Sequence, residues 1–255
     1  MASPWAAGQR GTVFLLLGML AWILAGFVGA AFAIAVLMGG SILPRLLLGT
    51  AAMPEPSHIA IVLAGASGFQ ATLLFGAQWS GRRSSGDGRW NGLGVRPVLR
   101  KARIAGLCVA TTVWLAGFII LMGMFPALRA FARSVTPDVL AGLGDGGPWI
   151  VAMRLGLVVF LAPVSEELFF RGWLWEALQR RGHAIATTAL LTALPWLLLH
   201  GIDSPGRILF LLPAAAIFSL ARHWGGGVLA SLAAHMTNNL TAVTMQAIPV
   251  IFGYK

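Results

Sequence analysis

Apolar runs separated by short polar segments set the pattern of the chain. The first runs from Thr12 to Met38, the second from Ile59 to Ala77 and the third from Ile104 to Phe125. Each is close to the roughly 20 residues a helix needs to cross the hydrocarbon core. Helix is forced there, because lipid offers no partners to an open backbone. Small residues at Gly29, Ala30, Ala31 and Ala33 could mark a signal-peptide cleavage site. The apolar run continues past them to Met38, so a retained first helix is expected. Between the runs lie a loop with Pro44, Arg45, Pro54, Glu55 and Pro56, a glycine-rich basic loop over 80–103, and a polar stretch over 126–148 holding Arg129, Arg133, Asp138 and Asp145.

From Trp149 to Arg181 the only turn signal is Pro163. At 1.5 Å per residue that segment is roughly 50 Å long, too long for one straight crossing. A kink or break is therefore expected at Pro163, which lacks a backbone donor. Arg181-Gly182 then reads as a turn. Further spans are expected over Ala184–His200, Arg207–Arg222 and Gly226–Ile251. The expected fold is an all-α, polytopic transmembrane bundle of about seven spans, with no internal repeat. Residues 1–148 form its N-terminal helices and basic loop, and 149–255 a second unit that carries the polar residues of interest.

Composition sharpens this. Of 255 residues, 58% are hydrophobic and only 10% charged, against about a quarter charged in soluble domains. Soluble and disordered classes, nucleic-acid modules and disulfide scaffolds are excluded. The single Cys108 reads as packing. The net charge of +10 is a topology signal, because Arg82, Arg83, Arg89, Arg96, Arg100, Lys101 and Arg103 share one loop. With that loop cytoplasmic, Arg10, Arg171, Arg180, Arg181 and Arg222 fall on the same side. Arg45, Arg129, Arg133, Arg207 and Lys255 fall opposite, and Arg154 can snorkel. This is an N-in, C-out arrangement. The expected location is multi-pass in a bacterial inner (plasma) membrane, with anionic headgroups as a secondary contact of the basic loop.

There are only 8 acidic residues, and Glu166, Glu167 and Glu176 share one segment. A carboxylate inside a span costs a few kcal/mol and should face protein or a wet cavity. Arg171, four residues after Glu167, can pair with it. Glu166 lies about 100° round the helix and is less well served, and adjacent carboxylates disfavour joint ionisation, which suits proton transfer. Glu166 lies about 16 residues before the expected turn and His200 about 18 after it, so the two are level within about 3 Å. His235 and Asn239, four residues apart, project from one helix face. Alone, each of these has a plainer structural reading: an interhelical ion pair, an interface histidine, or polar glue between helices. Glue is the reading adopted for Asn238. His58, His183 and His223 fall in expected turns and read as solvated.

Taken together, Glu166-Glu167-x-x-x-Arg171, then His200, then His235-x-x-x-Asn239 resembles the CPBP family of intramembrane proteases. That family contains the type II CAAX prenyl endopeptidases and the bacteriocin-processing and abortive-infection-like proteins. The likeness covers roughly Trp149 to Ile251, and Phe170-Arg171-Gly172 extends its first motif. Trp196 stands where the second motif usually has Phe. The resemblance implies an intramembrane glutamate endopeptidase in which Glu166 and His200 activate a water. His235 and Asn239 would donate to the oxyanion, and Glu167 and Arg171 would support the site. It implies no cofactor. Zinc is the weaker alternative, since no His-Glu-x-x-His occurs.

The partners implied are the bilayer and a membrane-associated peptide or protein. A prenylated protein, a bacteriocin precursor and a C-terminal sorting tail all fit, and nucleic acid does not. Nothing in the sequence fixes an oligomeric state. The main alternative is a catalytically silent scaffold or immunity-type partner using the same polar cluster structurally. A proton-coupled transporter is a third reading, unsupported by inverted repeats.

Overall fold

The computed structural model describes residues 4–48, 57–84, 91–124, 147–201 and 205–251. Expectations placed on Pro54, Glu55, Pro56, Arg89, Arg129, Arg133, Asp138, Asp145 and Lys255 lie outside the described residues. Among those described, the chain is all-helical, with seven helices and no strand. They are α1 (Pro4–Leu48), α2 (His58–Ser84), α3 (Lys101–Met124), α4 (residues 147–180), α5 (Ile185–Leu199), α6 (Pro205–Gly225) and α7 (Val228–Ile251). Five stretches among them are long and apolar enough to cross a membrane: Gly11–Gly40, His58–Arg83, Lys101–Leu121, Pro148–Arg180 and Arg207–Gly225. Helix α5 is apolar but only 15 residues long. Helix α7 has the length, with 24 residues, but His235, Asn238 and Asn239 dilute its apolar character. Bulky apolar side chains such as Phe14, Val28, Phe32, Val113 and Phe160 point outward, as they should where lipid is the solvent.

Helix α1 continues through Pro44 and Arg45 to Leu48, beyond its expected end. It packs against α2 at a close approach between Gly29 and Gly68. A Cβ added to Gly68 would lie 2.4 Å from the Gly29 carbonyl oxygen. Small residues of this kind let membrane helices touch backbone to backbone. Helix α7 packs on α3 and α6, and α2 packs along α4.

Of the kink or break expected at Pro163, the break does not occur. Helix α4 passes through it by switching to π-helical turns over Gly156–Leu161 and again over Glu167–Leu174. In the first of these, Ala162 donates to the Leu157 carbonyl, five residues back. The next bond of that pattern, to Val158, would need an N–H on Pro163, which has none. The side-chain amide of Asn239 supplies it, donating to the Val158 carbonyl at 2.8 Å. A tertiary partner thus repairs the ladder that proline interrupts, which is how prolines are tolerated within membrane helices.

Part of the basic loop is a packed element. A 3-10 turn at Asn91–Leu93 buries Leu93 completely. Gly94 follows at φ 62°, in the left-handed region. The Gly94 carbonyl accepts from Val228 N–H at 2.9 Å, and Leu99 N–H donates to the Gly225 carbonyl at 2.9 Å. The loop is therefore tied to the turn between α6 and α7. Glu176 of α4 completes the clasp: its Oε1 accepts from Arg222 at 2.6 Å and its Oε2 from Arg96 at 3.2 Å.

Candidate active site

Helices α4 and α5 form an antiparallel hairpin whose turn falls at Arg181-Gly182. Gly182 takes φ 79° there. Gln179 fixes the turn by donating to the His183 carbonyl at 3.0 Å and to Thr188 Oγ1 at 2.7 Å. His183 pairs with Thr12 Oγ1 at 2.9 Å, so it is not simply solvated, whereas His58 and His223 are exposed as expected. The hairpin brings Glu166 and His200 to one level. Glu166 Oε2 and His200 Nε2 are 3.7 Å apart, slightly beyond a direct hydrogen bond.

The His200 tautomer follows from its other nitrogen. Nδ1 lies 2.9 Å from the Trp196 backbone carbonyl, which can only accept, so Nδ1 carries the proton. In the neutral ring, Nε2 then presents a lone pair toward Glu166. Glu166 is buried, while about a third of the His200 side chain is exposed. Both line a cavity of about 270 Å³, together with Phe27 of α1, Ala66, Phe69 and Gln70 of α2, and Leu199 of α5.

Glu167 occupies a different environment. Its side chain and that of Arg171 are both completely buried. Its Oε1 accepts from Arg171 Nη1 at 3.1 Å and from His235 Nδ1 at 2.9 Å. Arg171 Nε and Nη2 have no hydrogen-bond partner among the described residues. Its guanidinium instead lies 5.0 Å from the centre of the Trp196 ring and 5.7 Å from that of Phe218, where cation–π attraction offsets part of its desolvation. His235 stacks on Phe218 with centroids 4.4 Å apart.

Trp196 touches both groups. Its Nε1 donates to Glu166 Oε2 at 2.7 Å, and its ring meets His235 edge-on at 5.7 Å. The six residues singled out from sequence therefore fall into three settings. Glu166 and His200 face the cavity, while Glu167, Arg171 and His235 form a buried triad. Asn239 bonds to α4 and accepts from Asn238 Nδ2 at 3.1 Å, a bond within α7 rather than the interhelical glue expected of Asn238. Among the described residues, no three of His, Cys, Asp and Glu group as a metal-ion site.

Sequence reasoning missed Gln70. Its Nε2 donates to Glu166 Oε1 at 2.9 Å, and its Oε1 accepts from the buried Ser165 hydroxyl. A lone amide in the apolar run of α2 was the available signal. It also missed the Trp196 N–H, which the usual Phe would lack, and the Glu176–Arg222 pair.

Residues 148–241 match the family model described as type II CAAX prenyl endopeptidase Rce1-like. No curated protein and no solved structure matches the chain. All three motifs fall within the matched segment, and the resemblance read from them is borne out there. The likeness is confined to residues 148–241, from the start of α4 into α7.

Proposed function

We propose, on the premise of that Rce1-like segment, that the chain is an intramembrane endopeptidase using Glu166 and His200 to activate water. The observation that carries this is the 3.7 Å approach of Glu166 Oε2 to His200 Nε2 at the wall of a cavity. The gap is short for a water bridging in line, so a water within hydrogen-bond reach of both atoms sits beside the Glu166–His200 axis, on the cavity side. Glu166 takes a proton as the water oxygen attacks the peptide carbonyl, and His200 Nε2 accepts the water's second hydrogen bond. The proton on Glu166 then passes to the leaving amine as the C–N bond breaks.

His235 and Asn239 are proposed as oxyanion donors, at a geometric cost. Asn239 already spends one N–H on Val158. His235 donates through Nδ1 to Glu167, so it can donate from Nε2 only when doubly protonated. Two buried carboxylates set against the single Arg171 charge can balance that proton. Glu167 and Arg171 hold the helix and His235 in place. No cofactor is part of the mechanism.

The proposed substrate is a membrane-associated peptide entering in extended form, since a helix hides its carbonyls; a prenylated CAAX-type tail is the first probe. The proposed setting is a bundle of about seven spans, N-in and C-out, in a bacterial inner membrane. In it, 1–148 is the N-terminal unit and 149–255 the catalytic unit. In the test, purified wild type, Glu166→Gln and His200→Ala are incubated with an internally quenched farnesylated peptide, and membrane peptide termini are compared with and without Glu166. Both variants are expected to insert, fold and lose cleavage. Cleavage surviving in both refutes the assignment.

The engagement of His235 by Glu167 and of Asn239 by Val158 favours a second reading, a scaffold that uses the cluster structurally. It predicts lower thermal stability in Glu166→Gln and no product from any variant.

A further inference from the structure

The Glu166 carboxylate is held by two donors that lie outside the charged motif. Gln70 Nε2 reaches Oε1 at 2.9 Å and Trp196 Nε1 reaches Oε2 at 2.7 Å. They come from different helices, α2 and α5, and Gln70 also lies outside the segment that matches the family model. The Gln70 amide has a defined direction. The ionised Glu166 carboxylate can only accept, so the Gln70 nitrogen faces it and the amide oxygen turns to the Ser165 hydroxyl, which also reaches the Leu161 and Ala162 carbonyls. Trp196 is equally constrained, buried with its ring against Arg171, Phe218 and His235. One donor per oxygen fixes the rotation of the carboxylate about its last bond. Trp196 uses one lone pair of Oε2, and the other remains for the side facing His200 Nε2.

We infer that Gln70 and Trp196 are positioning residues, a two-donor clamp that orients the Glu166 carboxylate toward His200 so that Oε2 can take the proton from water. Neither needs to touch the substrate carbonyl. The inference rests on the reading of Glu166 as the base. It adds that the N-terminal helices complete the site: residues 148–241 alone hold the carboxylate by one oxygen only. It also gives Trp196 a chemical task that the Phe usual at that position cannot perform. A freely turning carboxylate spends part of its time with the wrong lone pair presented, which lowers turnover but not substrate affinity.

The test uses the full chain in detergent, with Trp196→Phe, Gln70→Leu and the double variant, each checked for folding by thermal unfolding. Cleavage of the farnesylated quenched peptide is expected to show kcat about tenfold lower in each single variant with KM unchanged, the size of one charge-assisted hydrogen bond. The double variant should fall short of the product of the two, because both donors act on one group. The second readout is infrared. The carboxylate stretch that disappears in Glu166→Gln should shift in Trp196→Phe and in Gln70→Leu, which a purely structural role would not produce.

Wild-type cleavage with kcat unchanged in both folded single variants overturns the clamp and leaves the endopeptidase reading standing. A wild type that leaves the probe intact overturns the CAAX-type substrate reading. The infrared band then decides the clamp, and a band unmoved in both variants rejects it.

Discussion

The amide of Asn239 donates to the carbonyl of Val158 at 2.8 Å, and that carbonyl is the one Pro163 leaves without its π-helical donor. Loss of the amide strands an acceptor within the membrane, at a cost of about 1–3 kcal/mol. Asn239→Leu should therefore lower the thermal unfolding midpoint in detergent. Pro163→Ala, which restores an N–H five residues on, should recover part of the loss. An Asn239→Leu midpoint equal to wild type, or no recovery in the double variant, disconnects the two residues.

Arg171 and Glu167 are both fully buried. Removing only the cation leaves an uncompensated carboxylate, which costs about 3–5 kcal/mol. Arg171→Met should cut the yield of monodisperse protein sharply. Arg171→Met combined with Glu167→Gln should be more stable than Arg171→Met alone, because the stranded charge is gone. Thermal unfolding of the pair decides this.

Glu176 clasps the basic loop to the bundle through Arg222 and Arg96. In Glu176→Ala the loop loses its ion pair through Arg96, while its backbone ties through Gly94 and Gly225 remain. Trypsin should then cut faster after Arg100 and Lys101, the bond after Arg96 being closed to it by Pro97. Identical cleavage rates in the variant and wild type would mean that the backbone ties suffice.

The orientation is open to direct labelling, because Cys108 is the chain's one cysteine. Lys101 and Met124, at opposite ends of α3, are both exposed. In a Cys108→Ser background, Lys101→Cys should react with an impermeant maleimide only after the cells are opened. Met124→Cys should react in intact spheroplasts, and the reverse pattern inverts the topology.

What could be read from sequence is what depends on distance along the chain. Span lengths follow from a constant rise per residue, and so does the level meeting of Glu166 with His200 across a turn found where Arg181-Gly182 suggested it. What could not be read depends on the rotation of helices about their axes and on partners far away in sequence. His235 and Asn239 do share one helix face, but packing turns His235 onto Glu167 and Asn239 onto Val158. Pro163 signalled a kink or break because proline removes a local donor, and nothing local revealed that α7 would supply another. Gln70 had no periodic pattern to mark it; only the hairpin of α4 and α5 beside α2 gives its amide a carboxylate to meet.

Helix α5 carries one more consequence. Its 15 residues rise about 22 Å, short of a hydrocarbon core of about 30 Å. A helix of that length cannot reach both interfaces upright, so beside it the bilayer thins or the chain leaving Leu199 is hydrated below the headgroups. His200 is the residue at that end. On the endopeptidase reading, with the Arg181-Gly182 turn set at one interface, the polar edge of the membrane would come inward to the cavity wall and water would reach His200 without first dissolving in oil.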